Sequence, residues 1–231
     1  MVDVRSSAAC CGLSPTPAVE DALRTIFVLS GRGEPVSTSA LATHLGVSPP
    51  TVSSMLKRLT EHGLLERSAD HRAALTSHGA GHARHVVRRH RLIETFLVET
   101  LGLSWDEVHV EADMIEHAVS DVVLDRIDAL LGHPDRDPHG DPIPRSGDGH
   151  QESWGTRLNA VPWGTGFVVE RIYDRDEAAL RHLAGLGIRP GVTLQVIEQA
   201  PFGGPLWVRL NGGDVALGEP LARVVHGRVV T

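Results

Sequence analysis

Cysteine is almost missing from this chain of 231 residues: Cys10 and Cys11, adjacent and near the N-terminus, are the two present. Neighbouring cysteines in an aperiodic segment cannot staple a fold, so a disulfide framework is excluded and a reducing cytoplasm is expected. Long apolar runs are missing too. No window approaches about eighteen uncharged apolar residues, so no membrane span is expected. The opening MVDVRSSAACCGLSPTPAVED holds no apolar run of signal-peptide length, so secretion is not expected. Lysine is nearly absent: of 22 basic residues only Lys57 is lysine. Trp105, Trp154, Trp163 and Trp207 are too scattered for a stacking platform. No HExxH, GxSxG, GxxxxGK[ST] or GxGxxG occurs, so no catalytic residue is assigned and a non-enzymatic protein is expected.

What is present is an ordinary globular balance, 41% hydrophobic and 22% charged. The net charge of −7 hides a gradient. Residues 22–100 carry ten Lys/Arg against six Asp/Glu, whereas residues 101–160 carry four Arg against thirteen acids. A basic first third suits phosphates, and an acidic middle suits cations.

Residues 1–17 lack periodicity and read as loose. A helix is predicted from Glu20, with Leu23, Ile26 and Phe27 on its buried stripe, up to the breaker Gly31-Arg32-Gly33. A second helix is predicted over Thr38–Leu45, capped by Ser37 or Thr38 and stopped by Gly46. Ser48 caps a third, with Val52, Met55, Leu56 and Leu59 buried. Two short strands, Leu64–Glu66 and Ala73–Leu75, flank a polar turn at Ser68–Arg72. Two long helices follow, about Ser77–Leu101 and from Ser104 to about Leu131. Ile115, Val119, Val122, Ile127 and Leu130 form the apolar face of the second. The Pro- and Gly-rich run from His133 to about Thr156 reads as a linker rather than core. Strands at Phe167–Val169, Leu194–Ile197, a hairpin over Leu206–Leu217 turning at Asn211-Gly212, and a last strand near Val224–Val230 read as a small β-barrel module, interrupted by a short helix near Asp176–Leu186.

Two constellations carry chemistry. In the first, Ser37 to Leu59 has helix-turn-helix spacing. Ala42 is small where helices cross, Gly46 permits the turn, and Val47, Val52 and Leu56 lock the second helix onto the first. The exposed side of that helix carries Ser48, Thr51, Ser53, Ser54, Lys57 and Arg58, hydroxyls and cations suited to phosphates and base edges. A plain three-helix core with a polar face is the bland alternative. In the second, Asp113, Glu116 and His117 stand at i, i+3 and i+4 of one helix, with His109 a turn earlier; His90 and Glu94 are i, i+4 on the preceding helix. Carboxylates with imidazole on one turn make a donor set for a divalent cation. A solvated acidic face with incidental histidines is the other reading.

The order winged helix, then Arg88-Arg-His-Arg-Leu-Ile-Glu94, then Val108-His-x-Glu-Ala-x-x-x-Glu-His117-x-x-Ser120-Asp, then Asp141-Pro-Ile-Pro144 resembles the diphtheria toxin repressor family of metal-dependent transcriptional regulators. The resemblance runs from about Glu20 to the C-terminus and is densest over 86–144. It implies a mainly α fold with a small β domain: a flexible N-terminus at 1–19, a winged helix-turn-helix at 20–84, a helical metal-binding and dimerisation domain at 85–132, a linker at 133–156 and an SH3-like barrel at 157–231. It implies a primary metal site at Asp21, Asp113, Glu116 and His117, and an ancillary site at His90, Glu94, His109 and Asp176. It implies DNA contacts at Ser48, Pro50, Thr51 and Ser53, to which the helix pattern adds Ser54 and Lys57. Iron-type relatives carry methionine and cysteine where this chain has Asp21 and Asp113; manganese-type relatives carry aspartate and glutamate. Arg24 stands where short manganese regulators place a further glutamate. Oxygen donors and one imidazole suit Mn²⁺, with Fe²⁺ as the alternative. The expected protein is a manganese-activated repressor with two metal sites per subunit, a homodimer on double-stranded palindromic operator DNA. A metal buffer or an enzyme with a vestigial winged helix is the rival of another class.

Overall fold

The computed structural model describes residues 16–67, 72–145 and 154–230. Cys10, Cys11, most of the Ser68–Arg72 turn and the end of the proposed linker lie outside the described residues. The chain divides into two compact units. One holds the described residues up to Arg89 with Pro144 and Arg145; the other holds His90–Ile143 and residues 154–230.

In the first unit, α1 spans Pro17–Gly31, α2 Thr38–Leu45 and α3 Pro49–Glu61; β1 (Leu65–Arg67) pairs antiparallel with β2 (Ala73–Leu75). α1 starts three residues before Glu20 because Pro17 sits in the first turn, where a missing N–H costs nothing. Ser37 caps α2, its side chain accepting from the Ala40 N–H at 3.1 Å. Gly46 then takes φ +64°, the left-handed conformation that ends a helix without a Cβ penalty. Ser48 caps α3, accepting from the Thr51 N–H at 3.4 Å. Leu23, Ile26 and Phe27 meet Leu41, Ala42, Val52, Leu56 and Leu59 in one core. Val47 departs from expectation: it is 37% exposed, because it follows the turn glycine and points off the helix crossing. This is a three-helix core with a two-stranded wing.

From the wing rises α4, Ser77–Glu99. In the second unit α5 covers Val108–Ile115, a single 3₁₀ turn covers Glu116–Ala118, and α6 covers Asp121–Leu130. The uninterrupted helix expected from Ser104 to Leu131 is thus broken. Val119 is extended (φ −80°, ψ 122°) and the Ser120 side chain caps a new helix by accepting from the Val123 N–H. The break redistributes the expected apolar face. Leu124 is buried with Leu92, Ile93, Leu97 and Val108, and Ile127 is buried as well, whereas Ile115, Val122 and Leu130 are exposed.

The C-terminal part is an antiparallel sheet of order β3-β8-β4-β5-β6-β7, with β3 Thr156–Arg157, β4 Gly166–Ile172, β5 Thr193–Gln199, β6 Leu206–Leu210, β7 Gly213–Leu217 and β8 Val225–Val230. α7 (Glu177–Gly185) and α8 (Glu219–Val224) close over it. The β6–β7 turn has φ of 51° at Asn211 and 80° at Gly212, both positive as a type I′ hairpin demands. Phe167, Val169, Leu180, Leu183, Val196 and Val208 fill the core, and Trp105 from the α4–α5 connection joins them.

The segment after α6 is where the linker expectation fails. Asp137, His139, Asp141 and Ile143 are all buried. Asp137 Oδ1 accepts from the backbone N–H of His139 (2.9 Å) and of Asp141 (2.8 Å), folding the segment into a tight loop. The His139 carbonyl accepts from the Ile172 N–H at 2.9 Å. At Gly140, with φ +88°, a Cβ would collide with the Glu170 carbonyl. Prolines and acids give the stretch a linker composition, but side chain–backbone bonds replace the periodic pattern that a core element normally displays.

Candidate metal centre and nucleic-acid interface

His90, in the middle of α4, is 4% exposed and touches carboxylates on both sides. Its Nδ1 lies 2.7 Å from Glu116 Oε2 and 3.3 Å from Asp113 Oδ1. Its Nε2 lies 2.9 Å from Glu94 Oε1 and 3.1 Å from His109 Nδ1. The 3₁₀ turn brings Glu116 fully inside, and His117 Nε2 stands 3.6 Å from Glu116 Oε1. Asp113 and Glu116 therefore meet His90, and His117 stands beside Glu116. Asp21 is half-buried on α1, in the first unit, 4.0 Å from Arg24 Nη2.

A second group surrounds Glu94, which is fully buried. His109 Nδ1 lies 3.0 Å from Glu94 Oε1 and 3.3 Å from Asp174 Oδ2. His90, Glu94, His109 and Asp174 can offer ligand atoms that all lie within 4.8 Å of one another. Asp174 replaces the expected Asp176 here. Asp176 is exposed and caps α7, accepting from the Ala179 N–H at 3.0 Å. The register of β4 shifts between Val169 and Arg171, so alternation along that strand slips before the loop that carries both aspartates.

Sequence reasoning missed Asp137 and His139, which join Glu94 in a further fully buried group. His139 Nε2 donates to the Trp105 carbonyl at 2.6 Å, which aims Nδ1 at the carboxylates. Glu94 Oε2, Asp137 Oδ2 and His139 Nδ1 are buried without a hydrogen-bond partner, and the His139–Glu94 separation of 3.9 Å is too long for one. Orphaned buried donors and acceptors are costly unless something satisfies them, and three that converge fit a cation. A signal existed in the sequence, an acid and a histidine two residues apart, but inside a Pro-rich run.

The charges are strongly biased. Burial would raise Glu94, but the His90 charge, hydrogen bonds from His109 and His90, and the nearby His139 hold it well below the usual carboxylate range. Burial would lower His139; the Glu94 carboxylate beside it, with Asp174 and Asp137, pushes it up to about 10. His109 is likewise raised, burial being outweighed by Asp174 and Glu94. Burial, then the Asp141 and Glu94 charges, raise Asp137 well above its ordinary value, against His139 and Arg91. In the metal-free protein, protons on these imidazoles neutralise the carboxylates that a cation would otherwise neutralise.

On the first unit, Ser48, Pro50, Thr51, Ser53, Ser54 and Lys57 are all exposed, at the start and along the outer side of α3. Lys57 pairs loosely with Glu61 at 3.8 Å, leaving the side chain 77% exposed. Ser48 Oγ and Thr51 Oγ1 are 2.8 Å apart, so the start of α3 presents two exposed hydroxyls, groups that hydrogen-bond phosphate oxygens. Among the described residues, no helix is long and apolar enough to cross a membrane.

Comparison with known proteins agrees with this layout. Residues 15–73 match the iron dependent repressor N-terminal DNA binding domain, 76–145 the iron dependent repressor metal binding and dimerisation domain, and 156–229 the FeoA domain. The iron-dependent repressor IdeR of Mycobacterium tuberculosis is 33% identical over 215 residues, covering 88% of this chain and 93% of the relative. The diphtheria toxin repressor of Corynebacterium diphtheriae is 31% identical over 214 residues, covering 88% and 93%. Among solved structures, a manganese-dependent transcriptional repressor in complex with manganese is 40% identical with TM-score 0.87, covering 92% of this chain and all of that one (100%). The manganese regulator SloR is 31% identical with TM-score 0.79, covering 95% and 100%. A winged helix, a buried carboxylate–imidazole cluster and a C-terminal barrel in this order place the chain in the diphtheria toxin repressor family of metal-dependent, DNA-binding transcriptional repressors.

Proposed function

We propose that this repressor is activated by Mn²⁺ and binds a palindromic operator as a homodimer. The observation that carries the metal assignment is the donor set: Asp113, Glu116, Glu94, Asp137 and Asp174 supply oxygens, histidines supply the nitrogens, and no thiolate or thioether stands among them. Hard oxygen donors favour Mn²⁺ relative to a sulfur-containing site, and selectivity against later metals then rests on geometry and availability. The 40% identical manganese-dependent repressor supports the same reading.

We assign Asp21, Asp113, Glu116 and His117 to the primary site and His90, Glu94, His109 and Asp174 to an ancillary centre, which Asp137 and His139 extend through the shared Glu94. That makes two centres per subunit. A bound divalent cation supplies the positive charge that lets these carboxylates share one site. Asp21 belongs to the DNA-binding domain and the other three primary residues to the dimerisation domain, so shared coordination restricts the freedom of one domain against the other. The recognition helices of a dimer then meet successive major grooves at a fixed spacing. The exposed Val110, Met114, Ile115, Val122, Val123 and Leu130 give the dimerisation domain an apolar surface for its partner subunit. Thr51, Ser53, Ser54 and Lys57 meet the DNA, with Ser48 and Pro50 at the helix start.

An iron-activated repressor is the second reading, favoured by the names of the 33% identical relatives. One palindromic operator titrated against free Mn²⁺, Fe²⁺ and Zn²⁺ under anaerobic conditions separates the two. Glu116→Gln and His117→Ala are expected to abolish the Mn²⁺ response while the dimer persists. A normal Mn²⁺ response in either variant misplaces the primary site, and no operator affinity at saturating Mn²⁺ would favour a metal buffer.

A further inference from the structure

The first turns of α4 carry histidines that belong to neither group above. His78 and His82 are four residues apart, so they share one helix face. Their Nε2 atoms are 3.3 Å apart, and the rings meet edge to face with centroids at 4.7 Å. Two nitrogens held about 2.0–2.1 Å from a tetrahedral zinc ion lie about 3.3–3.4 Å from each other. The two ring nitrogens thus already hold the separation of a chelate. We propose that His78 and His82 form an additional metal site, a two-imidazole chelate for borderline divalent cations such as Zn²⁺, Ni²⁺ and Cu²⁺.

The chemistry of this pair is opposite to that of the buried centres. The two ligands are both nitrogen donors, a set on which affinity rises from Mn²⁺ towards Ni²⁺ and Cu²⁺. His78 is exposed and His82 half-buried, so an ion reaches them directly from solvent. Burial, then the neighbouring His78 and His85 charges, lower His82, so the neutral imidazole that ligates is favoured around neutral pH. His85 lies further along the same face, but its Nε2 is 3.1 Å from Arg89 Nη2, and we leave it out of the ligand set. The location gives the chelate a structural consequence. Thr76 Oγ1 donates to the Gly63 carbonyl at 2.7 Å and accepts from the Gly79 N–H at 3.0 Å. A Cβ at Gly79 would collide with the Leu64 carbonyl, so the start of α4 lies tight against the α3–β1 connection. An ion bridging His78 and His82 clips the two turns that anchor the wing.

The test is equilibrium dialysis of the full-length protein, wild type against His78→Gln and His78→Gln/His82→Gln, with Zn²⁺ and separately with Mn²⁺. Both variants are expected to bind one Zn²⁺ fewer per chain at saturation. Mn²⁺ stoichiometry, Mn²⁺-dependent operator binding and the far-UV circular dichroism are expected to match wild type. Cu²⁺ electron paramagnetic resonance is expected to lose the splitting of a two-nitrogen site in the single variant, whose changed side chain is exposed and does not threaten folding. Unchanged Zn²⁺ stoichiometry together with an unchanged Cu²⁺ spectrum overturns the proposal, and leaves the pair as an imidazole–imidazole hydrogen bond.

Discussion

Asp141 links the helical part of the second unit to the barrel, and its removal tests whether that link holds Asp174 in place. Arg171 Nε, on β4, donates to Asp141 Oδ1 at 2.6 Å, and Arg91 Nη2, on α4, donates to Oδ2 at 3.2 Å. All three residues are buried, Arg91 also donates to the Pro142 carbonyl at 2.7 Å, and the Arg171 guanidinium lies 3.7 Å from the centroid of the Trp154 ring. Asp141→Asn keeps the shape and one acceptor oxygen but turns an NH₂ donor towards one of the two guanidinium groups. Breaking a buried pair by removing one partner costs about 3–5 kcal/mol, because the remaining charge is left uncompensated. In a unit of this size that corresponds to a melting temperature lower by roughly 10–20 °C. The assay is thermal and urea unfolding of the metal-free protein, followed by Mn²⁺ binding. Arg171 is three residues before Asp174, so the variant is expected to weaken the ancillary centre as well. Changing both partners, Asp141→Asn with Arg171→Met, removes one of the stranded charges and is expected to recover part of the loss. A loss under about 1 kcal/mol, or no recovery in the double variant, would refute the view that these charges are desolvated and mutually dependent.

Further outcomes follow from the same geometry. Lys57→Ala is expected to weaken operator binding and lower the slope of log affinity against log salt by about one, leaving Mn²⁺ affinity without DNA unchanged; an unchanged slope moves the phosphate contact elsewhere. His139 is raised from 6.5 to about 10, so its contribution to metal-free stability is full below about 6.5 and is lost as pH rises towards 10; urea midpoints across that range check the sign. The protons on His109 and His139 must leave before those nitrogens ligate, so Mn²⁺ binding is expected to release protons near neutral pH and to weaken on acidification. Calorimetry in two buffers of different ionisation enthalpy measures that release. Gly140→Ala is expected to destabilise the 137–141 loop, since φ +88° and the Glu170 carbonyl both oppose a Cβ; an unchanged melting temperature would contradict it.

The DNA-binding half was legible because its signals are local. Ser37 and Ser48 cap, Gly46 turns, and Leu23, Ile26, Val52 and Leu56 repeat at helical spacing; each is a property of a few neighbouring residues, and each reappears as a hydrogen bond or a buried side chain. The acidic helix is an instructive contrast. Its apolar residues keep rhythm from Val108 to Leu130 with no proline or glycine between, so periodicity read straight through the break. The stop was nevertheless written in Ser120-Asp121, a cap followed by an acid in the first turn, and a capping argument applied there separates α5 from α6. That matters chemically, because the break turns Glu116 inward beside His90 instead of leaving it on an outer helical face.

The residues around Glu94 were half legible, and the missing half fails for a physical reason. His90, Glu94 and His109 sit on helices, where spacing fixes the face. Asp137, His139 and Asp174 sit on irregular backbone, where spacing fixes nothing. Asp174 and Asp176 are only two positions apart, yet one faces His109 at 3.3 Å and the other caps α7. Choosing between them requires the slipped register of β4 and the closure of the 137–141 loop, which are set by contacts distant in sequence. The loop itself is held by Asp137 bonding two backbone amides and by Asp141 bridging two arginines, so the same carboxylates that look like solvated linker residues are what fold it. Charge in a Pro-rich run therefore has two opposite meanings. Only the positions of its partners, here Arg91 and Arg171, decide whether the run is solvated or buried.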